Sequence, residues 1–112
     1  MTADVLSLTG RVAIVTGGGT GMGRELTRQL AAQGCSVAIC DVSEENMAET
    51  RALADAEATA GARVTTHRCD VSDERQVLAF RDAVLAEHRT DRINLLFNNA
   101  GIAGGGLSLI HI

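Results

Sequence analysis

The chain contains no tyrosine and no tryptophan, and its ten basic residues are all arginine, so lysine is absent as well. Proton transfer through a phenol or an ε-amine is therefore closed to it. Positive charge is also scarce. Ten basic against 14 acidic side chains leave a formal net charge of −4. A nucleic-acid-binding face needs clustered positive charge, so that class of partner is not expected. No apolar run approaches the length that spans a bilayer. The N-terminus does not read as a secretory leader. The expectation is a cytoplasmic protein with no membrane partner. Cys35, Cys40 and Cys69 are odd in number and lack zinc-site spacing. They read as reduced, partly buried thiols. Neither they nor His67, His88 and His111 suggest a metal site.

What is present is an ordinary globular composition, with 46% hydrophobic residues over 112 positions. That suffices for one small domain burying roughly two-thirds of its unfolded surface. Short β-branched runs alternate with longer helical patterns, as in βαβ units on a parallel sheet. Arg11–Thr16 is a continuous apolar run, as for a strand buried on both faces. Met22, Leu26 and Leu30 mark one face of a helix that Gly34 ends. Ser36–Asp41 is a second strand. Ser43 caps a second helix running to about Ala60, with Gly61 as its stop. Arg63–Arg68 is a third strand. Asp73 and Gln76 have capping-box spacing and open a third helix with Val77, Phe80 and Val84 on one face. Ile93–Asn98 is a fourth strand. These elements predict an α/β, Rossmann-like, doubly wound parallel sheet of four strands in the order 3-2-1-4 with three helices. Residues 1–106 form this partial domain. Residues 107–112 are an atypical tail, best read as an abrupt end.

The chemical signal is Thr16-Gly17-Gly18-Gly19-Thr20-Gly21-Met22-Gly23, between the first strand and the first helix. Glycine there allows a tight turn and lets backbone N–H groups approach a pyrophosphate, with the helix N-terminus behind them. The spacing is G-x-x-x-G-x-G rather than G-x-G-x-x-G. Asp41 ends the second strand, where a carboxylate reaches an adenosine ribose and repels a 2′-phosphate. Val42 follows it, and no arginine lies in the glycine loop, so NAD is favoured over NADP. Asp70-Val71 follows the third strand. Asn98-Asn99-Ala100-Gly101 closes the fourth. Each motif alone is compatible with turn chemistry. Their joint placement at successive strand ends points to a ligand, because ligands bind there in open α/β sheets.

From Leu8 to Gly101 this set resembles the short-chain dehydrogenase/reductase family. The resemblance implies that Gly17, Gly19, Thr20, Gly21, Met22 and Gly23 line the pyrophosphate site. It implies that Asp41 and Val42 face the ribose, that Asp70 and Val71 hold the adenine, and that Asn98, Ala100 and Gly101 lie against the cofactor. The family's catalytic Asn, Ser and Tyr-x-x-x-Lys lie beyond the N-N-A-G motif, so no catalytic residue is assigned here. The resemblance implies an NAD-dependent oxidoreductase acting on an alcohol or ketone. This chain would be the cofactor-binding half, inactive alone, with homo-oligomerisation belonging to the full-length parent. Two further readings stay open: a non-catalytic dinucleotide-binding module, and a doubly wound domain whose glycines are purely structural. The first two helices are expected on one sheet face and the third on the other, leaving the isolated chain marginally stable.

Overall fold

A computed structural model describes residues 7–99. Strand β1 (Val12–Thr16) leads to helix α1 (Gly21–Ala32), β2 (Ser36–Asp41), α2 (Glu44–Glu57), β3 (Val64–Arg68), α3 (Glu74–Glu87) and β4 (Leu95–Phe97). The strands form one parallel sheet in the order β3-β2-β1-β4. This is the predicted topology. Its consequence is that the C-terminal tips of β1, β2 and β3 lie side by side.

Strand faces sort the core. Ala13, Val15, Val37, Ile39 and Val64 pack under α1 and α2 with Leu30, Ala31 and Met47. Val12, Ile14, Ala38 and Cys40 pack under α3 with Val77, Phe80 and Val84. Residues 12–16 of β1 and 37–40 of β2 are buried whichever way they point, which is why those runs are apolar without alternation. Burial of each such Val or Ile contributes about 1.5–3 kcal/mol.

Several boundaries differ from expectation, each for a local reason. Met22 is exposed, and the buried positions of α1 are Gly23, Thr27, Leu30 and Ala31. The close approach of Gly23 to the glycine loop sets that rotation. Helix α2 ends at Glu57, not near Ala60. There the chain turns to satisfy the end of α1: the Thr59 N–H donates to the Ala31 carbonyl at 3.1 Å and its Oγ1 to the Ala32 carbonyl at 2.8 Å. Such carbonyls have no partner within their own helix. Ala60 and Gly61 then follow with φ of 54° and 76°. Strands β1 and β3 each begin one residue later than predicted. Strand β4 is confined to Leu95–Phe97. Before it, Asn94 mimics a ladder residue, accepting from the Val12 N–H through Oδ1 at 2.9 Å.

The capping box at α3 is incomplete. Asp73 Oδ1 accepts from the N–H groups of Arg75 and Gln76 as a cap should. Gln76 Oε1 instead accepts from the Asp70 N–H at 2.8 Å. His88, at the C-cap of α3, is turned toward β3. Its Nε2 lies 2.7 Å from Thr65 Oγ1, and burial lowers its pKa. No helix among the described residues is long and apolar enough to cross a membrane.

Candidate functional site

The β1–α1 turn is built on backbone constraints. Gly17 and Gly21 have φ of 67° and 57°, a region unfavourable for residues with a Cβ. The constraint at Gly23 is space instead. A Cβ there would lie 2.2 Å from the Gly17 carbonyl oxygen. Space above Gly21 is open: a Cβ there would meet nothing within 4 Å. The loop is thus packed tightly from below and approachable from above.

Helix α1 begins unlike the other two. Ser43 caps α2 by accepting from the Asn46 N–H, and Asp73 caps α3. Both helices carry acidic residues in the first turn. Thr20, at the N-cap of α1, makes no side-chain cap hydrogen bond, and the first turn after it carries no acid. The first N–H groups of a helix need partners from outside, and its dipole favours an anion there. Thr20, Gly21 and Met22 are exposed at this end.

Asp41 sits at the tip of β2 beside this turn. Its Oδ2 accepts from the Gly19 N–H at 3.0 Å and its Oδ1 from the Val42 N–H at 2.8 Å. The carboxylate is therefore fixed before any ligand arrives. Gly17, Cys40, Asp41, Val42, Cys69, Asp70 and Val71 line one shared cleft. Asp70 is exposed, and its Oδ1 accepts from both the N–H and the hydroxyl of Ser72. These bonds hold its carboxyl below the usual range. They are turn chemistry, and both fall on a single oxygen.

The cleft lining includes two thiols, Cys40 and Cys69, at neighbouring strand ends. The two thiols act on each other, which pushes Cys40 up and Cys69 down. A neighbour that lowers a thiol pKa was not foreseen from the sequence. Cys35, away from the site, is pushed up to about 11 by burial. Among the described residues, no group of three or more His, Cys, Asp or Glu side chains could hold a metal ion.

At the end of β4, Asn98 Oδ1 accepts from Thr16 Oγ1 at 3.4 Å. The residue that reaches the glycine loop is its neighbour. Asn99 Nδ2 donates to the Gly17 carbonyl at 3.4 Å, and its N–H donates to Thr16 Oγ1 at 2.9 Å. The doublet was visible in the sequence, but alternation past a strand end does not say which member faces the loop. Arg24 and Thr50 were also missed. Arg24 Nη2 and Thr50 Oγ1 both donate to the Gly19 carbonyl, at 2.6 and 3.1 Å. Ala100, Gly101 and the tail lie outside the described residues.

A model of the short chain dehydrogenase family matches residues 11–110. The chain belongs to that family. Levodione reductase of Leifsonia aquatica is 45% identical over 96 residues, covering 86% of this chain and 35% of that protein. A short chain dehydrogenase/reductase from Burkholderia phymatum, solved in complex with NAD, is 40% identical with a TM-score of 0.75, covering 86% of this chain and 32% of that one. A metagenomic short-chain oxidoreductase, solved in complex with NADP, is 35% identical with a TM-score of 0.75, covering 86% of this chain and 41% of that one. The chain spans about a third of the length of the curated relatives it matches. Those two solved structures hold NAD and NADP respectively, on the fold that this chain shares with them.

Proposed function

We propose that the chain binds NAD, in preference to NADP, as the cofactor-binding portion of an oxidoreductase acting on an alcohol or ketone. The observation that carries this reading is the contrast among the three helix starts. Two are capped with acid in the first turn, whereas α1 has no side-chain cap, no acid in its first turn, and sits behind a glycine turn open to solvent. A pyrophosphate supplies the missing acceptors. In this reading the backbone around Gly17, Gly19, Thr20, Gly21, Met22 and Gly23 receives the phosphates. Asp41 and Val42 receive the adenosine ribose, and Asp70 and Val71 the base. Asn98, Ala100 and Gly101 are the remaining residues assigned to the cofactor.

The preference for NAD rests on charge. Asp41 has no basic residue after it, and its carboxylate is already aimed by two backbone N–H groups. A 2′-phosphate placed there would meet a fixed negative charge. Bound NAD supplies the hydride chemistry, and this chain's residues bind and orient it. With neither tyrosine nor lysine in the chain, we place proton transfer outside it, so the chain alone binds without turnover. The non-catalytic dinucleotide module is the second reading, favoured by that same absence. We place the protein in the cytoplasm, where its three buried free cysteines stay reduced.

Calorimetric titration tests the proposal. NAD should bind to the folded chain, and NADP should bind at least about tenfold more weakly. Asp41→Asn should weaken NAD binding and narrow that ratio. A demonstrably folded sample that binds neither nucleotide removes the site assignment.

A further inference from the structure

Gly19 is held at both ends of its backbone. Its N–H donates to Asp41 Oδ2 at 3.0 Å. Its carbonyl accepts from Arg24 Nη2 at 2.6 Å and from Thr50 Oγ1 at 3.1 Å. The triangle closes, because Arg24 Nε donates to the same Thr50 oxygen at 2.9 Å. The hydroxyl proton of Thr50 is thereby directed at Gly19, since the oxygen already accepts from Arg24. Nη2 also donates to the Asn46 carbonyl at 3.2 Å, and Nη1 reaches Glu49 Oε1 at 2.7 Å. One guanidinium thus joins the glycine loop, α1 and the first half of α2. Thr50 is fully buried. There is little slack: a Cβ on Gly19 would lie 2.8 Å from Asp41 Oδ2 and 2.9 Å from Asn46 Cβ.

We propose that Arg24 and Thr50 are positioning residues for the nucleotide site: they fix the Gly19–Thr20 peptide and so the place of Gly19, whose N–H, on the preceding peptide, holds the Asp41 carboxylate that selects the ribose. This inference rests on the dinucleotide reading above. Two physical steps carry it. Charge-assisted hydrogen bonds are about twice as strong as neutral ones, so the Arg24 contact dominates the setting of the loop. In a planar trans peptide the C=O and the following N–H point opposite ways. Anchoring the Gly19 carbonyl against α2 therefore turns the Thr20 N–H away from α2, at the uncapped start of α1. The same guanidinium commits four of its five N–H donors to Thr50, Glu49, Gly19 and Asn46.

A plainer role for Arg24 would be to join α1 to α2. Arg28 does that without touching the loop, through Glu57 at 2.7 Å. It is the internal control. Calorimetry with NAD and with NADP on the full chain is the measurement, with circular dichroism to confirm folding. Arg24→Met should lower NAD affinity by about tenfold or more and lower NADP affinity less, so the NAD:NADP ratio narrows. Arg28→Met should leave both within about twofold. Thr50→Val should narrow the ratio too, and Thr50→Ser, which keeps the hydroxyl, should restore it. If Arg24→Met does not fold, the Thr50 pair decides. Folded Arg24→Met or Thr50→Val variants with an unchanged ratio overturn the inference while leaving the binding reading intact. An equal narrowing in Arg28→Met also overturns it. Absence of nucleotide binding by the folded unsubstituted chain overturns the reading and the inference together.

Discussion

The glycine turn shows how different constraints at single residues produce one motif. Gly21 is required for its φ of 57°, with open space around it. Gly23 is required for space, with a backbone oxygen 2.2 Å from where a Cβ would sit. The two should respond differently to alanine. Gly21→Ala should cost about 1–2 kcal/mol of strain. Gly23→Ala should cost at least as much, because backbone must move, and the shift should propagate to Asn99, whose Nδ2 lies 2.8 Å from the same Cβ position. Thermal melts of both variants check the stability effect. Amide chemical shifts at Gly17 and Asn99 check the propagation: Gly23→Ala should move them and Gly21→Ala should not. The need for glycine was legible in the spacing. Which physical reason applied at which glycine was not, because that depends on what lies opposite.

Between β3 and α3, Thr65 joins two elements through a pair of histidines. Its Oγ1 lies 2.9 Å from His67 Nε2 and 2.7 Å from His88 Nε2. One hydroxyl proton serves only one ring as acceptor, so the other ring donates. Burial is the main cause that lowers both pKa values from 6.5, and for His88 the Arg63 charge adds to it. The sign follows directly. A histidine whose folded pKa lies below its unfolded value favours folding in its neutral form. The contribution is complete above about pH 6.5 and is lost as pH falls through the folded pKa values. Melting temperature should therefore drop between pH 7 and pH 5. His88→Asn should flatten that drop, and an unchanged slope would refute the assignment. At this scale the sequence was readable wherever an element was local. The α3 stripe of Val77, Phe80 and Val84 and the caps Ser43 and Asp73 formed as expected. The end of α2 was not readable, because Thr59 leaves the helix to bond carbonyls of α1, 28 and 27 residues earlier in the chain.

Across the whole molecule, the two sheet faces are unequally covered. Helices α1 and α2 pack on one face, and Leu95 and Phe97 of β4 join that cluster. On the α3 face, Leu96 lies beside Ile14 in register and is 40% exposed. β4 is also the outermost strand beside β1 among the described residues. An apolar strand edge with an open face templates association. The isolated chain is therefore expected to aggregate at concentrations where light scattering is easily followed. Leu96→Lys should slow that aggregation at a stability cost of about 1–2 kcal/mol, the share of a leucine's burial that the strand provides. Unaltered scattering would show that association proceeds elsewhere.

Composition, hydrophobic period and turn residues determined the order of elements, the parallel sheet and the candidate contacts of the glycine turn and Asp41. These follow from short-range physics: strand burial, helix capping and the φ values glycine allows. Tertiary structure alone decided which asparagine meets the loop, that α1 turns Met22 outward, and that Arg24 and Thr50 hold Gly19. Those outcomes depend on which groups meet across the fold, where a few tenths of an ångström settle whether a donor finds its acceptor.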